Sequence, residues 1–171
     1  GQDQWAMGLY DAVLESNKPL ILDADALNIL AKNPQQNEDW VLTPHPGEAA
    51  RLLACSNSEI QSDRLKSLKN LCDGFGGVVL LKGQNTLIGR KATIPHMISA
   101  GNPGMSTAGM GDLLTGIISG LYAQFRDQDL QLLTSVSALI HSTAGDRAAS
   151  SGERGIVATD LFVELKDLLN P

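Results

Sequence analysis

GVVLLKGQNTLI, residues Gly77–Ile88, decides the fold. Val78–Leu81 is an unbroken apolar run with no polar alternation, the pattern of a strand covered on both faces. Lys82 ends it, Gly83-Gln84-Asn85 reads as a tight turn, and Thr86-Leu87-Ile88 resumes as a strand, so the stretch is a hairpin. Upstream, Leu20–Leu22 is a second apolar run, ending in Asp23-Ala24-Asp25 and followed by a short helix through Leu27 and Leu30. Trp40–Thr43 is a third, followed by the turn Pro44-His45-Pro46-Gly47 and a helix over Glu48–Cys55. Strands that alternate with helices make an α/β fold, with a mainly parallel central sheet and helices on both faces.

The flanking segments agree. Trp5, Leu9, Ala12 and Val13 share one apolar face of an opening helix, which Lys18-Pro19 ends. A further helix starts at Ser58, with Glu59 and Asp63 early and Lys66 and Lys69 late, as the helix dipole favours. Residues 93–98 add a short strand. Helices follow over Gly111–Gln124, Asp129–Ala149 and Thr159–Leu169, with Thr159 or Asp160 as the last cap. With no repeat, low-complexity tract or linker, residues 1–171 read as a single domain.

The 171 residues carry a formal net charge of -6, with 43% hydrophobic residues. The acidity speaks against a nucleic-acid partner, since binding that backbone takes clustered Lys and Arg. It leaves room for a small phosphorylated ligand, which backbone N–H groups can hold. Runs such as Val78–Leu81 are far too short to cross a bilayer. Cys55 and Cys72 stand apart, without a CxxC or a paired His, and read as free thiols of a reducing cytoplasm.

Ligands of such sheets sit beyond the carboxyl ends of the strands. Three loops hold that position: Asp23–Asp25, Pro44–Glu48 and Lys82–Thr86. The glycine-rich GNPGMSTAGMGD, Gly101–Asp112, makes a fourth. Lys82, Gly83 and Thr86 can together hold a phosphate, or form an ordinary hairpin turn with a solvated lysine. Two prolines brace His45 at a strand exit, which favours a binding role. Glu48 is either a helix-start acid or a ligand acting through Mg2+-bound water. The glycines before Asp112 leave N–H groups uncovered at a helix start, an anion site. Asp112 itself would repel an anion, so it is either a helix-stabilising acid or a general base. Gly116 and Gly120 read as close helix packing, and His141 as a core or pocket-edge histidine. No strand–GxGxxG–helix unit with an acid about 20 residues on marks a dinucleotide oxidoreductase.

DADALN, TPHPGEAARLL, VVLLKGQNT, GNPGMSTAGMGDLLTGIISG and GIVATDL, in this order along the chain, resemble the ADP-dependent NAD(P)H-hydrate dehydratase family of the ribokinase-like superfamily. The resemblance implies a three-layer fold. It also implies a reaction in which the hydroxyl of hydrated NADH or NADPH is phosphorylated from ADP and phosphate is then eliminated, giving NAD(P)H and AMP. By position it makes Lys82, Gly83, Gln84, Asn85, Thr86 and Gly111 nucleotide contacts. Asp112 becomes a substrate contact and base, His45 and Gly1 substrate contacts, and Glu48 a residue linked to Mg2+ through water. It further implies a cytoplasmic homotetramer. Family members also carry a stretch before Gly1 with the first strands, and in bacteria often an epimerase domain, so this chain is expected to be the C-terminal part of a larger protein. The rival within the superfamily is a kinase of a vitamin-precursor alcohol, hydroxyethylthiazole or hydroxymethylpyrimidine.

Overall fold

The apolar run at Val78–Leu81 is a strand with every residue buried, and Trp40–Leu42 is another. Both belong to a computed structural model that describes residues 1–170. The chain divides into two units: Gly1–Gly83 with Leu87–Pro95, and Gln84–Thr86 with His96 onward.

The first unit holds α1 (Gln4–Glu15), β1 (Leu20–Leu22), α2 (Asp25–Lys32), β2 (Trp40–Leu42), α3 (Pro46–Leu52), α4 (Asn57–Ser62), α5 (Arg64–Phe75), β3 (Val78–Leu81) and most of β4 (Thr86–Arg90). β1, β2 and β3 are parallel, with Leu22 opposite Leu42 and Leu42 opposite Val79. β4 turns back antiparallel on β3, from Leu81 opposite Leu87 to Val78 opposite Arg90, so the expected hairpin is present and the sheet is mixed. Parallel neighbours place the ends of β1, β2 and β3 on one edge. Trp40, Leu30, Leu71, Val79 and Leu81 are central to the core.

The second unit holds β5 (His96–Ile98), α6 (Met110–Gln124), α7 (Leu130–Ala148) and α8 (Leu161–Leu169). α7 packs against both α6 and α8, and Met110, Ile117, Ala144, Ile156, Leu161 and Leu165 form a core of their own.

Three local expectations change. The helix read from Ser58 is two helices, because Asp63 leaves helical geometry (φ -149°, ψ 85°) and caps the next turn by accepting from Lys66 N. In α1 the buried residue is Tyr10, with Leu14 packed behind it, while Trp5, Leu9 and Val13 are exposed. Gly116 and Gly120 are not packing glycines: both are exposed, and a Cβ on either would meet open space.

Candidate active site

β1, β2 and β3 each end in a loop that carries a charged or imidazole side chain, and backbone bonds join the three ends. Thr43 N donates to Leu22 O at 3.1 Å, and Lys82 N donates to Pro44 O at 2.9 Å. The side chains converge accordingly. Lys82 Nζ lies 2.8 Å from Asp23 Oδ1 and 3.9 Å from Glu48 Oε2. Asp23 Oδ1 also accepts from Ala24 N at 2.9 Å.

Pro46 opens α3, where its missing N–H costs nothing. His45 is the N-cap: its Nδ1 accepts from Gly47 N at 3.0 Å, and its own N donates to Glu48 Oε2 at 2.8 Å. The pair forms a reciprocal capping box, so the helix-start reading of Glu48 is real. Nδ1 acting as acceptor leaves the ring proton on Nε2, which is 3.5 Å from Glu48 Oε1. The His45 side chain remains half exposed, and that of Glu48 is only 7% exposed. His45 thus holds the helix start while showing its ring to solvent.

Gly1 N donates to Asp25 Oδ2 at 2.6 Å, which places Gly1 beside the loop that follows β1. In Lys82–Thr86, Gly83 has φ +142° and Asn85 φ +55°, left-handed values suited to a tight turn. Gln84 and Asn85 are exposed, and Thr86 is half-buried.

In the second unit, Gly109 precedes α6 at φ +87° and no side chain caps the helix. Gly111 and an exposed Asp112 stand in the first turn. The start of the glycine-rich loop is tethered to α7. Asp146 Oδ2 accepts from Gly101 N at 2.9 Å, and Asp146 Oδ1 accepts from Asn102 Nδ2 at 3.0 Å. His141 is buried within α7, and His96 Nδ1 lies 2.8 Å from Ser135 Oγ, an ordinary side-chain bond.

The structure therefore gathers His45, Glu48 and Lys82 in one unit and adds Asp23. It puts Gly111 and Asp112 on an uncapped helix start in the other. Asp23 was missed as the partner of Lys82, and Asp146 as the tether of Gly101 and Asn102. Asp146 did carry a signal, since an acid in the last turn of a helix opposes the dipole and calls for another reason. Among the described residues, no group of three His, Cys, Asp or Glu side chains is placed to hold a metal directly. Nor is any helix long and apolar enough to cross a membrane.

The family model described as NAD(P)H-hydrate dehydratase matches residues 1–167. The chain is 51% identical over 174 residues to the bifunctional NAD(P)H-hydrate repair enzyme Nnr of Coxiella burnetii, covering all of this chain and 35% of that protein. It is 40% identical over 132 residues to the ADP-dependent (S)-NAD(P)H-hydrate dehydratase of Neisseria meningitidis, covering 72% of this chain and 45% of that one. The crystal structure of the ADP/ATP-dependent NAD(P)H-hydrate dehydratase of Bacillus subtilis, co-crystallised with ATP and Mg2+, superposes with a TM-score of 0.87 at 27% identity. That match takes in 98% of this chain and 60% of the other. The fold is ribokinase-like, the chain spans about a third of the length of its bifunctional relatives, and it belongs to the NAD(P)H-hydrate dehydratase family.

Proposed function

We propose that this chain is part of an enzyme that dehydrates hydrated NADH and NADPH at the expense of ADP, restoring NAD(P)H and releasing AMP and phosphate. The observation that carries the reading is the start of α6, an uncapped helix N-terminus with a solvent-facing carboxylate in its first turn. The N–H groups there favour a phosphoryl group by orientation and dipole. Asp112 accepts the proton of the substrate hydroxyl. The hydroxyl oxygen bonds to the terminal phosphorus of ADP, and the bond from that phosphorus to the bridging oxygen breaks, releasing AMP. The C–O bond of that ester then breaks, phosphate departs with the electron pair and takes up a proton from the neighbouring ring carbon, and the ring double bond re-forms. Positioning and charge stabilisation supply most of the acceleration in such transfers.

Lys82, Gly83, Gln84, Asn85, Thr86 and Gly111 are the proposed nucleotide contacts, and His45, Asp112 and Gly1 the proposed substrate contacts. Mg2+ would come with the nucleotide. Glu48 suits only an outer role toward it, since Oε2 already accepts from His45 N and, among the described residues, no group of three such side chains is placed to hold a metal. Mg2+ commonly keeps its waters and takes its remaining ligands from phosphates, and there it would neutralise phosphate charge. We place the whole protein in the cytoplasm, as a homotetramer with an epimerase domain on the same polypeptide.

The test incubates the full-length protein with hydrated NADH and ADP and follows the absorbance of regenerated NADH. Asp112→Asn is expected to bind ADP as the wild type does and to lose roughly 10²–10⁴ in turnover, the range for general acid–base catalysis. An unchanged rate rejects Asp112 as base. No regeneration by the wild type, with ATP-dependent phosphorylation of a thiazole or pyrimidine alcohol, replaces the reading with the kinase one.

A further inference from the structure

Arg64 opens α5, directly after the break at Asp63, and its side chain reaches the Lys82–Thr86 loop. Nη2 donates to Leu81 O at 3.2 Å and Nη1 to Lys82 O at 3.4 Å. Nη1 also donates to Gln61 Oε1 at 3.3 Å, which steadies the guanidinium from the preceding helix. The group lies over Gly83: a Cβ at that position would be 2.6 Å from Nη1 and 3.2 Å from Cζ. Gly83 suits its left-handed φ of +142°, and any larger residue there would push the Arg64 guanidinium aside. Arg64 is half-buried there, and burial pushes its pKa down from the ordinary guanidinium value. A planar fork with several fixed donors can grip two successive carbonyls at once, which a lysine cannot.

We propose that Arg64 is a positioning residue for nucleotide binding. It clamps the carbonyls of Leu81 and Lys82 and so sets the conformation of the loop that contacts ADP. This rests on the reading of Lys82–Thr86 as the nucleotide loop. Asp63 serves the same end indirectly. By ending α4 and starting a new helix, it aims the first side chain of α5 at the end of β3. The clamp acts on the backbone of the loop, so its loss releases several nucleotide contacts together.

The test uses the full-length protein with ADP as the probe. Calorimetric titration gives the Kd, and NADH regeneration gives KM for ADP and kcat. Arg64→Ala is expected to raise Kd and KM for ADP by about tenfold or more, which corresponds to about 1.4 kcal/mol, while kcat at saturating ADP changes far less. Arg64→Lys, which keeps the charge but not the fork, is expected to fall between the two and covers the case in which the alanine variant does not fold. A residue that mattered only for stability would lower the thermal midpoint and leave the Kd of the folded fraction unchanged. An ADP Kd in Arg64→Lys equal to that of the wild type overturns the proposal. A wild type that binds no ADP overturns the nucleotide reading itself, and the clamp with it.

Discussion

Lys82 stands between two carboxylates, one positive formal charge against two negative ones at 2.8 and 3.9 Å. Its side chain is 21% exposed and that of Asp23 11%, so the pair is shielded from the screening that makes surface ion pairs nearly worthless. Lys82 and Asp23 are therefore expected to be energetically coupled, whatever desolvation costs the two charges. In a double-mutant cycle with Asp23→Ala and Lys82→Ala, followed by urea unfolding, a coupling of about 0.5–3 kcal/mol is expected. Additive single variants would mean that the pair contributes nothing beyond its members. Lys82, Glu48 and His45 were legible in sequence because parallel strands must end on one edge, and each follows an apolar run. Asp23 was not legible as the partner of Lys82. They lie 59 residues apart, and their meeting depends on the register across β1, β2 and β3. The capping role of His45 was hidden for another reason, since histidine is outside the usual N-cap set.

At the scale of the element, the run from Ser58 to Gly74 shows what a charge pattern conceals. Acids early and bases late describe one helix, and they describe two short ones equally well. The deciding residue is Asp63, whose carboxylate bonds Lys66 N instead of letting the helix continue. Ser56 caps the first of the pair: its hydroxyl accepts from Glu59 N at 3.2 Å, and its own N donates to Glu59 Oε2 at 2.8 Å. A helix as short as α4 has little stability of its own and depends on such a cap. Ser56→Ala is expected to destabilise the protein by about 0.5–2 kcal/mol. Amide exchange is expected to speed up in Asn57–Ser62 while Arg64–Phe75 stays protected; equal loss in both helices would mean that they behave as one element. The opening helix was legible as a helix and misread as to its face. Apolar residues lie on more than one side of α1, and periodicity does not say which side meets Leu14's neighbours in the core.

For the molecule as a whole, alternation of apolar runs with helices was enough to give an α/β fold, because a strand buried on both faces has no polar side to show. The same chain has 19 Asp and Glu against 13 Lys and Arg, and the native structure draws two of those acids below their ordinary pKa. The backbone and hydroxyl of Ser56 lower Glu59, and Lys69 lowers Asp73. A carboxyl whose folded pKa is depressed stabilises the native state above its unfolded pKa and stops doing so as pH falls through the folded one. Both therefore act in the same direction. The thermal midpoint is expected to stay nearly flat from about pH 8 to 5, and to drop from about pH 4.5 toward 2 as these acids take up protons and the Lys and Arg charges go unbalanced. Glu59→Gln is expected to lower the midpoint at neutral pH and to shrink the drop below about pH 4.5, because the variant has no proton to take up there. A midpoint that fell equally in the variant and the wild type between about pH 4.5 and 2 would show that the hydrogen bonds from Ser56 do not favour the charged form of Glu59 in solution.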